Sequence, residues 1–376
     1  MSTLQIIPVS TQHQREQFVD FPYHLYAKSP QWIPPLRALE IKEFDPQHNP
    51  SLAHCKTAQW LAKKGENVIG RIQVILNMRE WKHLGTKEAR FNHWDLIDDP
   101  EVAEGLITAA VEWAEQSGCS ILKGPYGYTN LDQSGLLISG FERKSTFATL
   151  YNHSYYQAHL ERLGFKKKVD WVERHLSLPK ELPSKFKRIP SILKSRYDLK
   201  TLDLKTRKDM MAQAHHVMEV FLESYQQLEG YVPLSAGEVQ KYIDQYLSFL
   251  RPDYIRLVAD SEGKLVGFGL TTPDMGNAFQ KSKGNLWPWA WWHLWRARQK
   301  NPVADLILIG VAPKWRNKGV PGLVFKEVYE SFRKAGVKEI MVHPMLEHNQ
   351  PVHALFDSLG AKPYRRRRAY QTKIIP

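Results

Sequence analysis

Two stretches of this chain, residues 57–76 (TAQWLAKKGENVIGRIQVIL) and 254–273 (YIRLVADSEGKLVGFGLTTP), share one outline. Each is an alternating apolar run, a short turn, and a second alternating run. The turns are Lys64-Gly65-Glu66-Asn67 and Ser261-Glu262-Gly263. A period of two with a turn between predicts a pair of adjacent strands. The segments after each pair repeat as well. A strand comes next (89–98 and 304–313), then an amphipathic helix (100–118 and 320–336), then another strand (120–125 and 338–344). Both helices space their apolar residues by three and four and close on glycine, Gly118 and Gly336. Both halves then end on a short helix that runs into Leu-Gly, at Leu163-Gly164-Phe165 and Leu359-Gly360-Ala361. A strand–helix–strand run beside a hairpin requires a mixed sheet with helices on it. The expected fold is therefore α/β (an α+β mixed sheet), built twice by tandem duplication. The expected boundaries are 1–178 for the first domain and 201–376 for the second. Residues 179–200, with three prolines and a basic bias, are the expected linker.

Charge separates the halves. Residues 1–180 hold 21 Lys and Arg against 20 Asp and Glu, and residues 181–376 hold 31 against 19, so the second half carries nearly all of the net +13. An anionic partner is expected there: nucleic acid, anionic lipid or a phosphorylated cofactor. Arg365–Arg368 would suit nucleic acid, but consecutive side chains on a strand alternate between faces, so the run makes no continuous basic stripe. Nucleic acid is therefore not an expected partner. The two cysteines, Cys55 and Cys119, show neither a CxxC nor a metal spacing, and His343, His348 and His353 are five apart. No metal is expected, and the histidines read as surface or core residues. With no apolar run near ~20 residues and no signal-peptide pattern, the expected location is cytoplasmic.

The strongest local signal is 306–330, LILIGVAPKWRNKGVPGLVFKEVYE: an apolar strand, a basic glycine-containing loop, and a helix. Free amides at such a helix start suit a pyrophosphate. Gly319 and Gly322 would allow close approach, and Arg316 and Lys318 add charge. Residues 286–300, LWPWAWWHLWRARQK, hold five of the twelve tryptophans. With a helix starting at Pro288, Trp287, Trp291, Leu294 and Trp295 would share a face. That helix could cover an acyl chain, lie at a membrane interface, or pack on the other domain.

The stretch Val311–Gly319 resembles motif A of the GNAT superfamily of acyl-CoA-dependent acyltransferases, with Arg316, Asn317, Lys318 and Gly319 on the family pattern. Proline stands at 321 where the family has glycine or alanine, and Gly322 comes one residue late. Residues 349–360 resemble motif B through Asn349, Leu355 and Gly360. The family tyrosine that protonates the leaving thiolate is Phe356 here, which cannot donate a proton. The first half is less similar: its 151–165 segment matches motif B at Asn152, Gly164 and Phe165, but its loop 98–101 is acidic and lacks glycine. The whole chain also resembles a bacterial group of tandem GNAT-like proteins, some of whose relatives act as ceramide synthases.

The resemblance implies two tandem GNAT-like acyl-CoA N-acyltransferase domains. The second would bind acetyl-CoA or a longer acyl-CoA through Val311, Arg316, Asn317, Lys318, Gly319, Val320, Gly322 and Asn349. It implies transfer of the acyl group to a small-molecule amine by direct attack. Glu347 is the candidate base, and Tyr364 or Tyr370 the substitute acid. Trp291, Trp295, Asn130, Tyr151, Asn152 and Tyr156 are candidates for substrate contact. A lipid amine acceptor with peripheral membrane contact is one alternative; a non-catalytic binding protein of the same fold is the other. The sequence leaves the oligomeric state open.

Overall fold

The structure is a computed structural model and describes residues 3–285, 290–299 and 301–374. The first half runs β1 (Leu4–Pro8), α1 (Gln12–Leu25), α2 (Arg37–Glu43), β2 (Cys55–Lys64), β3 (Asn67–Asn77), α3 (Met78–Leu84), β4 (Glu88–Leu96), α4 (Pro100–Gln116), β5 (Ile121–Gly124), β6 (Leu136–Ser139), α5 (Tyr155–Arg162) and β7 (Lys166–Ser177). Then come α6 (Ser184–Tyr197), β8 (Lys200–Leu202), α7 (Arg207–Tyr225), α8 (Ala236–Phe249), β9 (Ile255–Ala259), β10 (Leu265–Pro273), α9 (Gly276–Ser282) and α10 (Ala290–Gln299). The chain ends with β11 (Val303–Val311), α11 (Val320–Ala335), β12 (Glu339–Leu346), α12 (Gln350–Asp357) and β13 (Lys362–Lys373). The hairpins and crossover helices fall where the periodicity puts them. Gly118 and Gly336 take positive φ (76° and 74°) just past the ends of α4 and α11, the left-handed stop that favours glycine.

All the strands join one 13-stranded sheet, in the order β1-β2-β3-β4-β5-β13-β7-β12-β11-β10-β9-β8, with β6 on β13. The halves exchange their last strands. β13, from the end of the chain, pairs antiparallel with β5 of the first half. β7 pairs antiparallel with β12 of the second. β7 and β13 pair with each other along nearly their whole length, from Lys362 opposite His175 to Gln371 opposite Lys166. The duplicated units are therefore one continuous sheet with three main apolar clusters. One lies under α7 and α8, one under α4 and α5, and one between α11 and β11–β12.

Carboxylates fix this exchange on both faces. The four arginines alternate as the strand period requires. Arg367 donates to Glu173 (Nε–Oε1 2.5 Å), with Arg365 3.5 Å from the same carboxylate; all three are buried. On the other face Arg366 and Arg368 both donate to Asp170. All four guanidiniums are thus paired with carboxylates of β7, Arg365 and Arg367 in the interior and Arg366 and Arg368 with access to water. The proline-rich stretch 179–200 carries α6, which runs through Pro190 and packs on α11 through Phe186 and Ile189.

Candidate active site

β11 and β12 are parallel neighbours only from Val303 opposite Glu339 to Leu306 opposite Val342. Beyond that they part. Both strands are irregular at the parting point. On β11, Leu270 of β10 faces Leu308 and Thr271 faces Leu306, so Ile307 is an extra residue. On β12, Val342 faces Arg174 and Met345 faces Val172, so His343 and Pro344 both stand opposite Glu173. A bulge re-aims side chains and leaves backbone groups outside the ladder. Here two bulges face each other across the gap.

The gap opens into a cavity of about 140 Å3 lined by Ile307, Leu308, His343 and Pro344. Its far wall comes from the first half: the glycine-rich loop that holds Tyr126, Asn130 and Asp132. That loop is fixed in place. Asp132 accepts from the Tyr242 hydroxyl of α8 and from the Thr129 amide. Phe147 packs against Phe249, Phe279 and the His343 ring. Several polar atoms in the wall lack partners among the described residues, namely Tyr126 Oη, Asn130 Oδ1 and His343 Nε2. Buried polar atoms are rarely left unpaired, so a wall of them is suited to a polar ligand.

His343 Nε2 lies 3.6 Å from Asp305 Oδ1. Asp305 is fully buried on β11, and neither of its oxygens has a hydrogen-bond partner among the described residues. Burial, and then the charge of Asp305, push the Asp274 carboxyl up to about 6. This cluster is electrostatically strained, as functional sites often are. It gives a pH prediction with a defined sign. An acid whose folded pKa is raised destabilises the fold once ionised, so the penalty grows from pH ~4 to ~6 and is complete above that. Asp274→Asn keeps an oxygen for the Gly276 amide. It should stabilise the protein by about 2 kcal/mol at pH 8 and by almost nothing at pH 4; denaturant titrations at the two pH values check this.

At the outer end of β11 the chain turns through a 3-10 segment, Pro313–Trp315, into α11. Asn317 and Gly319 take positive φ (61° and 86°), and Gly319 caps the helix without a side-chain acceptor. Among the described residues the amides of Lys318, Gly319 and Val320 find no acceptor. Lys314, Arg316 and Lys318 have no acidic partner there: Arg316 donates to the Ser224 carbonyl, and Lys318 sits over the Trp315 and Tyr197 rings. The equivalent start of α4 is closed. Asp99 accepts the Glu101 amide and pairs with Lys64. Tyr155 and Tyr156 of α5 bond the Leu96 carbonyl and amide, and the Tyr126 amide bonds the Phe91 carbonyl. One helix start thus offers amides to an anion, and the other is already satisfied by a carboxylate.

The residues singled out in the sequence divide between these places. Arg316, Asn317, Lys318 and Gly319 form the open loop, while Val311 and Val320 are buried where β11 ends and α11 begins. Gly322 does not face it: a Cβ there would meet Ile189 of α6 at 2.6 Å, so this glycine serves helix packing. Asn349 precedes α12 without a side-chain cap. Asn130 lines the cavity. Tyr156 bonds Tyr26 and Leu96, Asn152 clamps Leu137, and Tyr151 packs on Tyr26 and His153, all within the first half. Glu347 is held by Lys167, Arg366 and the Asp170 amide, which leaves it a poor base. Tyr364 donates to Glu173 and Tyr370 to Glu161, and Phe356 is buried in the core.

Trp291 and Trp295 lie on α10, each 55% exposed, beside exposed Trp292; Trp287 and Pro288 lie outside the described residues. α10 precedes β11 in the chain, at the strand end opposite the phosphate-type loop. At ~3.3 Å per residue the length of β11 separates that loop from the C-terminal end of α10. The sequence alone reads His343 as a surface or core histidine and gives Asp305 no role. The signal available was an acid inside an otherwise apolar strand, ADLILIGV, and a histidine directly before a proline at a strand end.

Residues 214–361 match the model of the Acetyltransferase (GNAT) family. The chain is 27% identical to Protein YghO of Escherichia coli (strain K12), over 95% of this chain and 92% of that protein. It is 25% identical to a bacterial ceramide synthase of Caulobacter vibrioides, over 99% and 98% respectively. In fold it is similar to a tandem GNAT protein from the clavulanic acid biosynthesis pathway (TM-score 0.58, 15% identity, 100% of this chain and 99% of that one).

Proposed function

From a chain with the tandem GNAT fold, whose residues 214–361 match the GNAT acetyltransferase family, we propose an acyltransferase whose second unit moves an acyl group from acyl-CoA to an amine. The observation that carries the reading is the cavity between two diverging strands, with the open cationic loop at one end of β11 and the His343–Asp305 pair in the middle. The donor's pyrophosphate meets the amides of 318–320, and its thioester reaches the cavity at Ile307.

His343 takes the proton of the attacking amine as the new C–N bond forms. Asp305, 3.6 Å from Nε2, stabilises the imidazolium. The C–S bond breaks, and the departing thiolate is protonated by that imidazolium, which restores neutral histidine. Backbone N–H groups of the bulged Ile307–Leu308 segment polarise the carbonyl in this reading as its oxygen gains charge. With Phe356 unable to donate, and Tyr364 and Tyr370 committed to glutamates, His343 serves as both base and acid. Attack is direct within a ternary complex: Cys55 and Cys119 are buried and burial pushes both thiols up, to about 12 and about 11. The first unit supplies a wall of the site and no CoA site of its own.

A single-turnover mix of acyl-CoA with a panel of amines, read as free thiol, tests this. Amine-dependent thiol release is expected. Bound CoA with no thiol release for any amine would replace the enzyme by a non-catalytic binding protein of the same fold.

One observation favours a lipid amine as acceptor. Trp291, Trp292 and Trp295 are exposed together, Arg296 stacks on Trp292, and the ceramide synthase relative is named for a lipid product. Indole and guanidinium suit a headgroup interface, and no described helix is long and apolar enough to cross a membrane. Co-sedimentation with anionic vesicles should fall at least ~5-fold, or about 1 kcal/mol, in Trp291→Ser/Trp295→Ser. Equal sedimentation of both proteins would remove the membrane contact and leave the acyltransferase reading intact.

A further inference from the structure

The helix α6, which joins the two units, carries charge that the proposed reaction does not use. Its sequence, SKFKRIPSILKSRY, holds Lys185, Lys187, Arg188, Lys194 and Arg196 and no acid. Of Lys187, Arg188, Lys194 and Arg196, only Lys187 has an acidic partner among the described residues, Glu181. One face of α6 lies on the start of α11. Ile189, Leu193 and Tyr197, spaced by four, share that face. A Cβ at Gly322 would meet Ile189, and one at Gly319 would have Leu193 as its nearest neighbour (3.7 Å). Tyr197 packs edge-on against Trp315, with 5.6 Å between ring centres. Tyr197 is also where the helix meets the charge of the open loop. Lys318 Nζ stands 5.4 Å from the centre of its ring, and the Arg196 guanidinium 5.3 Å. Neither cation has an acidic partner among the described residues, and Asp198, the acid next in sequence, pairs with Lys200. Two like charges gathered on one ring repel, and the quadrupole of the ring offsets this only in part. A multivalent anion shared between them relieves the repulsion.

We propose that Arg196 and Lys318 grip the 3′-phosphate of the donor nucleotide, so that the helix between the units supplies part of the CoA site. The inference rests on the acyl-CoA reading and adds to it a specificity for the phosphorylated ribose. Lys318 connects the two subsites. Its amide is among those offered to the pyrophosphate, and its ammonium lies over Tyr197. The pyrophosphate and the 3′-phosphate are carried by the same ribose, so a nucleotide whose pyrophosphate meets residues 318–320 brings its 3′-phosphate toward that ring. A phosphomonoester carries a charge of about −1.5 to −2 at neutral pH. A guanidinium meets its oxygens in pairs, which an ammonium cannot do. Stacking on Tyr197 holds Arg196 in place beforehand, so less rotamer freedom is lost on binding.

The test is calorimetric titration of the full chain with CoA and with 3′-dephospho-CoA. The wild-type protein should bind CoA at least ~10-fold more tightly than the dephospho compound. Arg196→Ala, at an exposed position, should lose most of that preference by weakening CoA, and should leave 3′-dephospho-CoA affinity where it was. Lys187→Ala removes one cation from the opposite face of the same helix and should change neither titration. If it weakens CoA as much as Arg196→Ala does, the helix acts only through its net charge and the grip is overturned. Equal affinity of the wild type for the two ligands, or an unchanged preference in Arg196→Ala, also overturns the grip and leaves the acyl-CoA reading standing. Failure of the wild type to bind CoA at all overturns that reading itself, and the grip with it.

Discussion

His343→Ala is expected to lose at least ~100-fold in amine-dependent thiol release while binding CoA as the wild type does. The ring lines the cavity between β11 and β12, and its Nε2 faces a fully buried carboxylate that has no other partner among the described residues. The attacking nitrogen becomes cationic as it bonds the thioester carbonyl and must shed a proton, so removing the acceptor strikes the chemical step. In the proposed reading CoA is held by the loop at 314–320, at the far end of β11, so its affinity should not move. The split between the two measurements separates catalysis from folding. The loss should also shrink as pH rises and hydroxide takes over as the proton acceptor. Asp305→Asn should be milder and should displace the pH profile, because the imidazolium loses its counter-charge. A uniform defect at every pH, or weakened CoA binding in His343→Ala, would assign the histidine a structural role.

Glu173→Ala should be the most destabilising single change in the sheet, by about 3–5 kcal/mol. Glu173 sits on β7 between Arg365 and Arg367 of β13, and all three are buried. Removing the carboxylate leaves two guanidiniums without a counter-charge in the interior, which costs far more than losing a surface pair. It also deprives Tyr364 of its acceptor. Asp170→Ala is the internal comparison. Its partners Arg366 and Arg368 keep access to water, so its cost should be clearly smaller. Denaturant midpoints of the two variants decide the matter; equal and small shifts would mean that apolar packing alone holds the exchanged strands.

Much of the architecture is legible in the sequence because it is local. The hairpin periods, the two crossover helices and their terminal glycines each depend on residues within one element. The exchange of β7 and β13 is not legible. Both are alternating strands at the ends of their units, and nothing within either specifies which β-edge it joins. Glu173 and Asp170 match alternate arginines 194 and 198 residues away. The same limit hid α6, where three prolines suggested a linker; Pro190 lies within the helix, and packing on α11 holds it. At the site, the loop at 314–320 is legible as a motif. His343 and Asp305 are not, since they meet only because β12 and β11 bulge at facing positions. Nor is the setting of Glu347, which pairs with Lys167 of the exchanged strand.

The assignment of the acyl donor to the second unit is tested most directly by the number and location of CoA sites. Calorimetric titration with CoA should give one site per chain. Arg316→Glu/Lys318→Glu should weaken it at least ~30-fold, about 2 kcal/mol, by turning an open cationic helix start into an anionic one. Asp99→Gly, at the equivalent start of α4, should leave it unchanged. Two sites per chain, or full affinity in a folded Arg316→Glu/Lys318→Glu protein, would contradict that assignment.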